Sequence, residues 1–238
     1  KVAVLGGDEG QGKSWLAAQI CHAHDGLSLF ISAENFNGVS PTDVGKFLIR
    51  LLIKQSGEVE TEALTARWRH RIAAWGQTHP MSPLLVVVDG INQRRSLRWD
   101  RLLDSLAAKL RDIGGQLIVT TRPQYWHKQV AVGVSFTHKL IDIPNWDTQE
   151  RDALLAYHGI KTDWLDATTL ETLRNPRLLS VAIATLPKER SQSWTSLTTD
   201  RLLFEHLRKS QAENFEEESL HDLTNRLSGH ARQVLERV

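Results

Sequence analysis

One string constrains this chain more than any other. Gly7-Asp8-Glu9-Gly10-Gln11-Gly12-Lys13-Ser14 follows the apolar run Val2-Ala3-Val4-Leu5 and precedes a helical pattern containing Leu16 and Ile20. Its spacing is G-x-x-x-x-G-K-[ST]. Glycines there let the backbone wrap closely around an anion with its amide N–H groups pointing inward. A helix starting near Lys13 adds the positive end of its dipole. Lys13 is placed to neutralise β- and γ-phosphates, and the Ser14 hydroxyl to hold Mg²⁺. Gly7, Gly10, Gln11, Gly12, Lys13, Ser14 and the following Trp15 are therefore the candidate nucleotide contacts.

A second string belongs with the first. Leu84-Leu85-Val86-Val87-Val88-Asp89 is a buried-strand pattern ending in an acid. Such an acid supplies the second protein contact to Mg²⁺, so Ser14 and Asp89 form the expected metal pair. Further short apolar runs stand at Leu27–Ser32, Leu117–Thr121 and Lys139–Ile143, and several lack polar alternation. That pattern suits strands covered on both faces by helices. Helical spacing recurs between them, at Val44, Phe47, Leu48, Leu51 and Leu52, and at Trp99, Leu102, Leu103, Leu106 and Leu110. Alternating strands and helices predict an α/β parallel sheet with right-handed crossovers.

The pattern changes after Ile143. Pro144-Asn145 breaks the chain, and the remainder reads as helical only. Asp147 or Thr148 is positioned to cap a helix to Tyr157. A helix is expected over Trp164–Leu173, and another over Leu178–Leu186, opened by Asn175-Pro176. Further helices are expected around Leu202–Leu207 and from Glu213. The division expected is a nucleotide-binding domain over 1–145 and a helical lid over 146–238, with room for the start of a further helical or winged-helix domain.

Composition narrows the class without choosing it. The net charge of +1 gives no bulk pull toward nucleic acid or membrane. Cys21 is the one cysteine, so an internal disulfide is impossible. That fits a reducing compartment. No stretch approaches the roughly 18 apolar residues of a membrane span. The first residue, Lys1, runs straight into a core strand, which reads as a piece of a longer protein.

With the phosphate loop, the strand ending Asp89-Gly90-Ile91, the strand ending Thr120-Thr121-Arg122 and the later Asn175-Pro176, nearly the whole chain resembles the STAND class of P-loop NTPases. That class includes NACHT-type and NB-ARC-like immune-receptor ATPases and their bacterial relatives. The resemblance implies a five-stranded sheet of order 2-3-4-1-5. It implies that Arg122 senses the γ-phosphate and that Pro176 touches the adenine. It implies an ATP/ADP switch that oligomerises when a sensor finds its ligand, then turns on an effector. In bacteria this often means defence against phage. Sensor and effector would lie outside this chain, the location would be cytoplasmic, and direct nucleic-acid binding is not expected.

One departure bears on chemistry. The class often shows Asp-Gly-x-Asp-Glu, whereas this chain has Asp89-Gly90-Ile91-Asn92-Gln93. Amides are not bases, so Asn92 and Gln93 cannot take a proton from an attacking water. Glu34, read as ending the second strand beside that of Asp89, is the alternative base; a solvated loop acid is its plainer reading. A small-molecule phosphotransferase and a pseudo-NTPase with structural nucleotide are the competing functions. A GTPase would need Asn-Lys-x-Asp, which the chain lacks.

Other groupings carry less. Cys21, His22, His24 and Asp25 point different ways on a helix, a poor geometry for a metal. Arg94, Arg95, Arg98 and Arg101 read first as a solvated face, and more sharply as an oligomer contact or an arginine lent to a neighbour's nucleotide.

The amide pair makes a prediction. ATP turnover should fall orders of magnitude below the median enzyme value of about 10 s⁻¹. Asn92→Asp with Gln93→Glu should raise it. A steady-state phosphate-release assay checks both; fast turnover lost on Glu34→Gln would identify Glu34 as the base instead.

Overall fold

Among the described residues, the longest uninterrupted stretch of buried apolar side chains is in β3, Leu84–Asp89, in which Leu84 through Val88 are each at most 1% exposed. A strand so covered must lie inside a sheet with layers on both faces. The computed structural model, which describes residues 1–78 and 84–185, shows this arrangement. β1 (Val2–Gly6), β2 (Leu27–Ser32), β3, β4 (Gln116–Thr121) and β5 (Lys139–Asp142) form one sheet of order β2-β3-β4-β1-β5. Every pairing is parallel. The expected order and strand direction are both found.

Alternate side chains of β3 feed the two layers, as the pleat requires. Leu84, Val86 and Val88 join the larger core with residues of α2 (Val44–Gln55) and α4 (Trp99–Asp112). Leu85 and Val87 join a smaller core with Ala17 of α1 (Lys13–Ala23). The larger core is knitted by aromatic contacts, with Phe36 4.9 Å from Phe47 and 5.3 Å from Trp99, centroid to centroid. Trp126 is fully buried there. It begins a wide turn, Trp126–Val130, continuing the short helix α5 (Pro123–Tyr125), and its carbonyl accepts from Ala131 N, five residues on.

Two edges depart from the expectation of strands covered on both faces. β2 alternates, with Leu29 and Ile31 buried but Phe30 45% exposed. β5 is exposed or half-buried throughout. Each has a sheet neighbour on one side only, so neither reaches the cover that β3 and β4 enjoy. A helix not anticipated, α3 (Glu62–Thr78), follows α2. It sinks Trp68 into the larger core, with Leu64, Ile72 and Trp75 half-buried against it.

The chain divides into two compact units, Lys1–Pro144 and Asn145–Val238. The second has its own core of Leu155, Ile160, Leu165, Leu173, Leu179, Val181 and Ala182. Asp147 caps α6 (Thr148–Tyr157): its carboxylate accepts from Glu150 N, and the Glu150 carboxylate accepts from Asp147 N. The helix expected over Trp164–Leu173 is instead a short turn, Thr162–Trp164, an extended Leu165, and α7 (Ala167–Thr172). The Asp166 carboxylate accepts from Thr169 N at 2.7 Å, capping a new helix and stopping the turn from running on. α8 runs Pro176–Thr185. Leu186 and the helices expected around Leu202–Leu207 and beyond Glu213 lie outside the described residues.

Leu103 of α4 is fully buried in the larger core. Leu103→Ala should destabilise the protein by about 2–5 kcal/mol, measured by urea denaturation; a loss under about 1 kcal/mol would show that this core collapses around the gap.

Candidate functional site

Parallel strands present their carboxyl ends together, and ligands of open α/β sheets bind there. Register places Gly6 of β1 beside Thr121 of β4 and Asp142 of β5, and Ser32 of β2 beside Asp89 of β3. The loop leaving β1 therefore opens between the ends of β4 and β5. Gly7 N donates to Thr121 O at 3.3 Å, which pins the loop's first residue. A Cβ on Gly7 would lie 2.5 Å from Gln11 Oε1, so any larger residue would have to push the Gln11 side chain aside. Gly12 has φ 81° and forms the N-cap of α1 with no side-chain cap. Its left-handed backbone turns the chain into the helix, and its carbonyl accepts from Leu16 N at 2.9 Å. The first amides of that helix, from Lys13 onward, have no partners further back along it and aim toward the loop.

Three charged or hydroxylic groups converge on this loop. Lys13 Nζ donates to Asp8 O at 2.5 Å. Burial and then the nearby Arg122 guanidinium lower the Lys13 pKa, with Asp8, Asp89 and Glu9 opposing. A lysine whose charge is opposed in this way is stabilised by an anion beside it. Arg122, just past β4, bonds Glu9 Oε2 through Nη2 at 2.6 Å. Ser14 Oγ lies 2.8 and 2.9 Å from the two carboxylate oxygens of Asp89.

Asp89 is held from behind. Thr120 Oγ1 donates to Asp89 Oδ1 at 2.6 Å and accepts from Gly90 N at 2.8 Å. Thr120 is fully buried, so its hydroxyl fixes both the acid and the backbone after it. Sequence reasoning reads Thr120-Thr121-Arg122 for its arginine and misses this role; a hydroxyl where a parallel core strand would carry Val or Ile is the available signal. The pair Ser14 and Asp89 fits a hard cation. Both offer oxygen, and octahedral Mg²⁺ ligands at about 2.1 Å stand about 3 Å from their neighbours.

The remaining candidates are more scattered. Glu34 lies beyond β2, in the short turn Ala33–Phe36, because the strand stops at Ser32. Its carboxylate is engaged by Arg94 at 2.9 Å. Asn92 is half-buried in the turn Ile91–Gln93, directly after Asp89-Gly90. Gly10 continues the loop with φ 85°, and Gln11 Oε1 accepts from Asp8 N at 2.5 Å. Trp15, in the first turn of α1, is 67% exposed. Pro176 belongs to the second unit and opens α8; Asn175 Oδ1 caps that helix by accepting from Arg177 N at 3.0 Å. Helix initiation, the plainer of the two roles for this proline, is thus accounted for locally. Among the described residues no three His, Cys, Asp or Glu side chains gather as a metal cluster, and no helix is long and apolar enough to cross a membrane.

Thr120→Val keeps the shape and removes the hydroxyl. Leaving Gly90 N buried without that acceptor should cost about 1–3 kcal/mol of stability. The Mg²⁺ dependence of nucleotide affinity should also weaken, since Asp89 loses its anchor. Titrations with and without Mg²⁺ check this; an unchanged Mg²⁺ dependence would show that Asp89 is placed by other contacts.

No family model and no curated protein matches the chain. Solved structures do match in outline. Drosophila ORC bound to DNA is 14% identical, over 79% of this chain and 47% of that one, with a TM-score of 0.43. The Aeropyrum pernix ORC1 protein in complex with DNA is 13% identical, over 89% of this chain and 60% of that one, with a TM-score of 0.46. The chain thus spans less than two thirds of either. The fold rests on features of this chain instead. The glycine-rich loop leaves a central parallel strand, Lys13 and Ser14 open the next helix, and Asp89 closes a neighbouring strand in a β2-β3-β4-β1-β5 sheet. The first unit has the P-loop NTPase fold.

Proposed function

We propose that this chain is the nucleotide switch of a STAND-type signal-transduction NTPase, binding ATP or ADP with Mg²⁺. The observation that carries the reading is the convergence of Lys13, Arg122, Ser14 and Asp89 at one phosphate-sized loop. Ser14 with Asp89 would hold Mg²⁺, which would supply neutralisation of phosphate charge. The loop amides and Lys13 bind the β-phosphate. Arg122 supplies a charge-assisted contact for a terminal phosphate, which ADP lacks. A ligand shifts a conformational balance only through such differential affinity. Trp15 presents exposed apolar surface suited to a purine, and the resemblance to the STAND class would make Pro176 a contact to the base.

Slow hydrolysis belongs to this reading. Asn92 and Gln93 offer no base, and Glu34 would have to leave Arg94 to act as one. A slow clock suits a switch that holds its state. Oligomerisation on activation, sensor and effector domains elsewhere in the protein, cytoplasmic location and a role in bacterial defence against phage complete the proposal. They rest on the resemblance to the STAND class.

Thermal shift tests the reading. At about 100 times Kd, Mg²⁺-ATP or Mg²⁺-ADP should add about 2.7 kcal/mol and raise Tm by several degrees. Lys13→Ala should abolish the shift. A Tm unmoved by millimolar ATP and ADP would sink it. A shift with no turnover even for Asn92→Asp with Gln93→Glu would favour a structural nucleotide. Arg122→Ala should weaken ATP more than ADP by competition titration; equal losses would make Arg122 structural.

A further inference from the structure

The residue Arg122 meets is the unexpected part of the site. Glu9 sits inside the phosphate loop itself, between Asp8 and Gly10. Its carboxylate takes Arg122 Nη2 at 2.6 Å across 113 residues of sequence. Both side chains are substantially exposed, at 61% for Glu9 and 42% for Arg122, so the pair is held by a modest energy that a ligand can match. The loop thus carries an acid among the groups that receive phosphate. An acid there is costly for phosphate binding unless it has another task.

We propose that Glu9 sets the preference between ADP and ATP, by holding the guanidinium that a terminal phosphate must take from it. This rests on the nucleotide-switch reading above. A diphosphate seated by the loop amides and Lys13 leaves the Glu9–Arg122 pair intact. A triphosphate draws Arg122 to its terminal oxygens, and the Glu9 carboxylate is then left beside added negative charge. ATP alone meets both penalties, the broken pair and the like-charge contact. Glu9 therefore weights the switch toward its ADP-bound form. Glu9 is a specificity-determining residue in this scheme and takes no part in bond making. Exposed charge pairs contribute little, so the weighting amounts to about 1.4- to 5-fold.

Competition titrations of Mg²⁺-ATP and Mg²⁺-ADP on four proteins test it: wild type, Glu9→Gln, Arg122→Ala and the double variant. Glu9→Gln keeps the side chain's size and should raise the ATP-to-ADP affinity ratio about 1.4- to 5-fold. In the Arg122→Ala background the same substitution should shift the ratio less, because only the like-charge contact remains to be relieved. Both nucleotides binding to Glu9→Gln with the wild-type ratio overturns the proposal and leaves the switch reading standing. A ratio shift of equal size with Arg122 absent also overturns it, because Glu9 would then act as a general repulsive charge. Wild type that binds neither nucleotide overturns the switch reading, and Glu9's role falls with it.

Discussion

The Thr120 hydroxyl joins the ends of two neighbouring strands, and the placement of the site's acid hangs on it. It donates to Asp89 and accepts from Gly90 N, and it is fully buried. A buried hydroxyl with both functions used adds rigidity where an unpaired one would cost stability. β3 brings Asp89 to the edge of the sheet behind five apolar residues. Without a second fixed point, its carboxylate would be free to swing toward water. With Thr120 behind it and Ser14 before it, the carboxylate is held from both sides, and the Ser14 hydroxyl and the Asp89 oxygens are neighbours.

Much of this is legible in the sequence because burial and function use the same signals. The β3 run announces both a central strand and the acid that ends it. The glycine spacing announces a loop whose conformation few other residues tolerate, as Gly10 and Gly12 show. Legibility fails where tertiary context decides. α3 carries Leu64, Trp68, Ile72 and Trp75 at helical spacing, but Arg67, Arg69, His70 and Arg71 dilute the stripe. The break within Trp164–Leu173 comes from one carboxylate, that of Asp166, closing on the backbone three residues ahead. Composition cannot reveal that β5, though apolar in part, stands at the sheet's margin with little cover.

The partner of a charged side chain is the least legible feature. Arg122 and Glu9 are 113 residues apart, and only the parallel register of β1 with β4 brings their loops together. Arg94 and Glu34 are 60 apart and meet because β2 and β3 are neighbours. Both arginines follow strands that the apolar runs locate; what they touch depends on the sheet order and the reach of a long side chain. A charge at the end of a strand is therefore a statement about place, and its chemistry waits on the topology.

Trp15 gives the site an optical property. It lies two residues past Lys13 and is 67% exposed, whereas Trp68, Trp99 and Trp126 are buried. Water relaxes around an excited indole and lowers its emission energy, while buried indoles emit further to the blue. Among the tryptophans whose exposure is described, the red side of the emission is thus weighted toward a residue within one helical turn of Lys13. A water-soluble quencher reaches Trp15 before it reaches those three, so the molecule carries a native probe of solvent access at the mouth of its own loop.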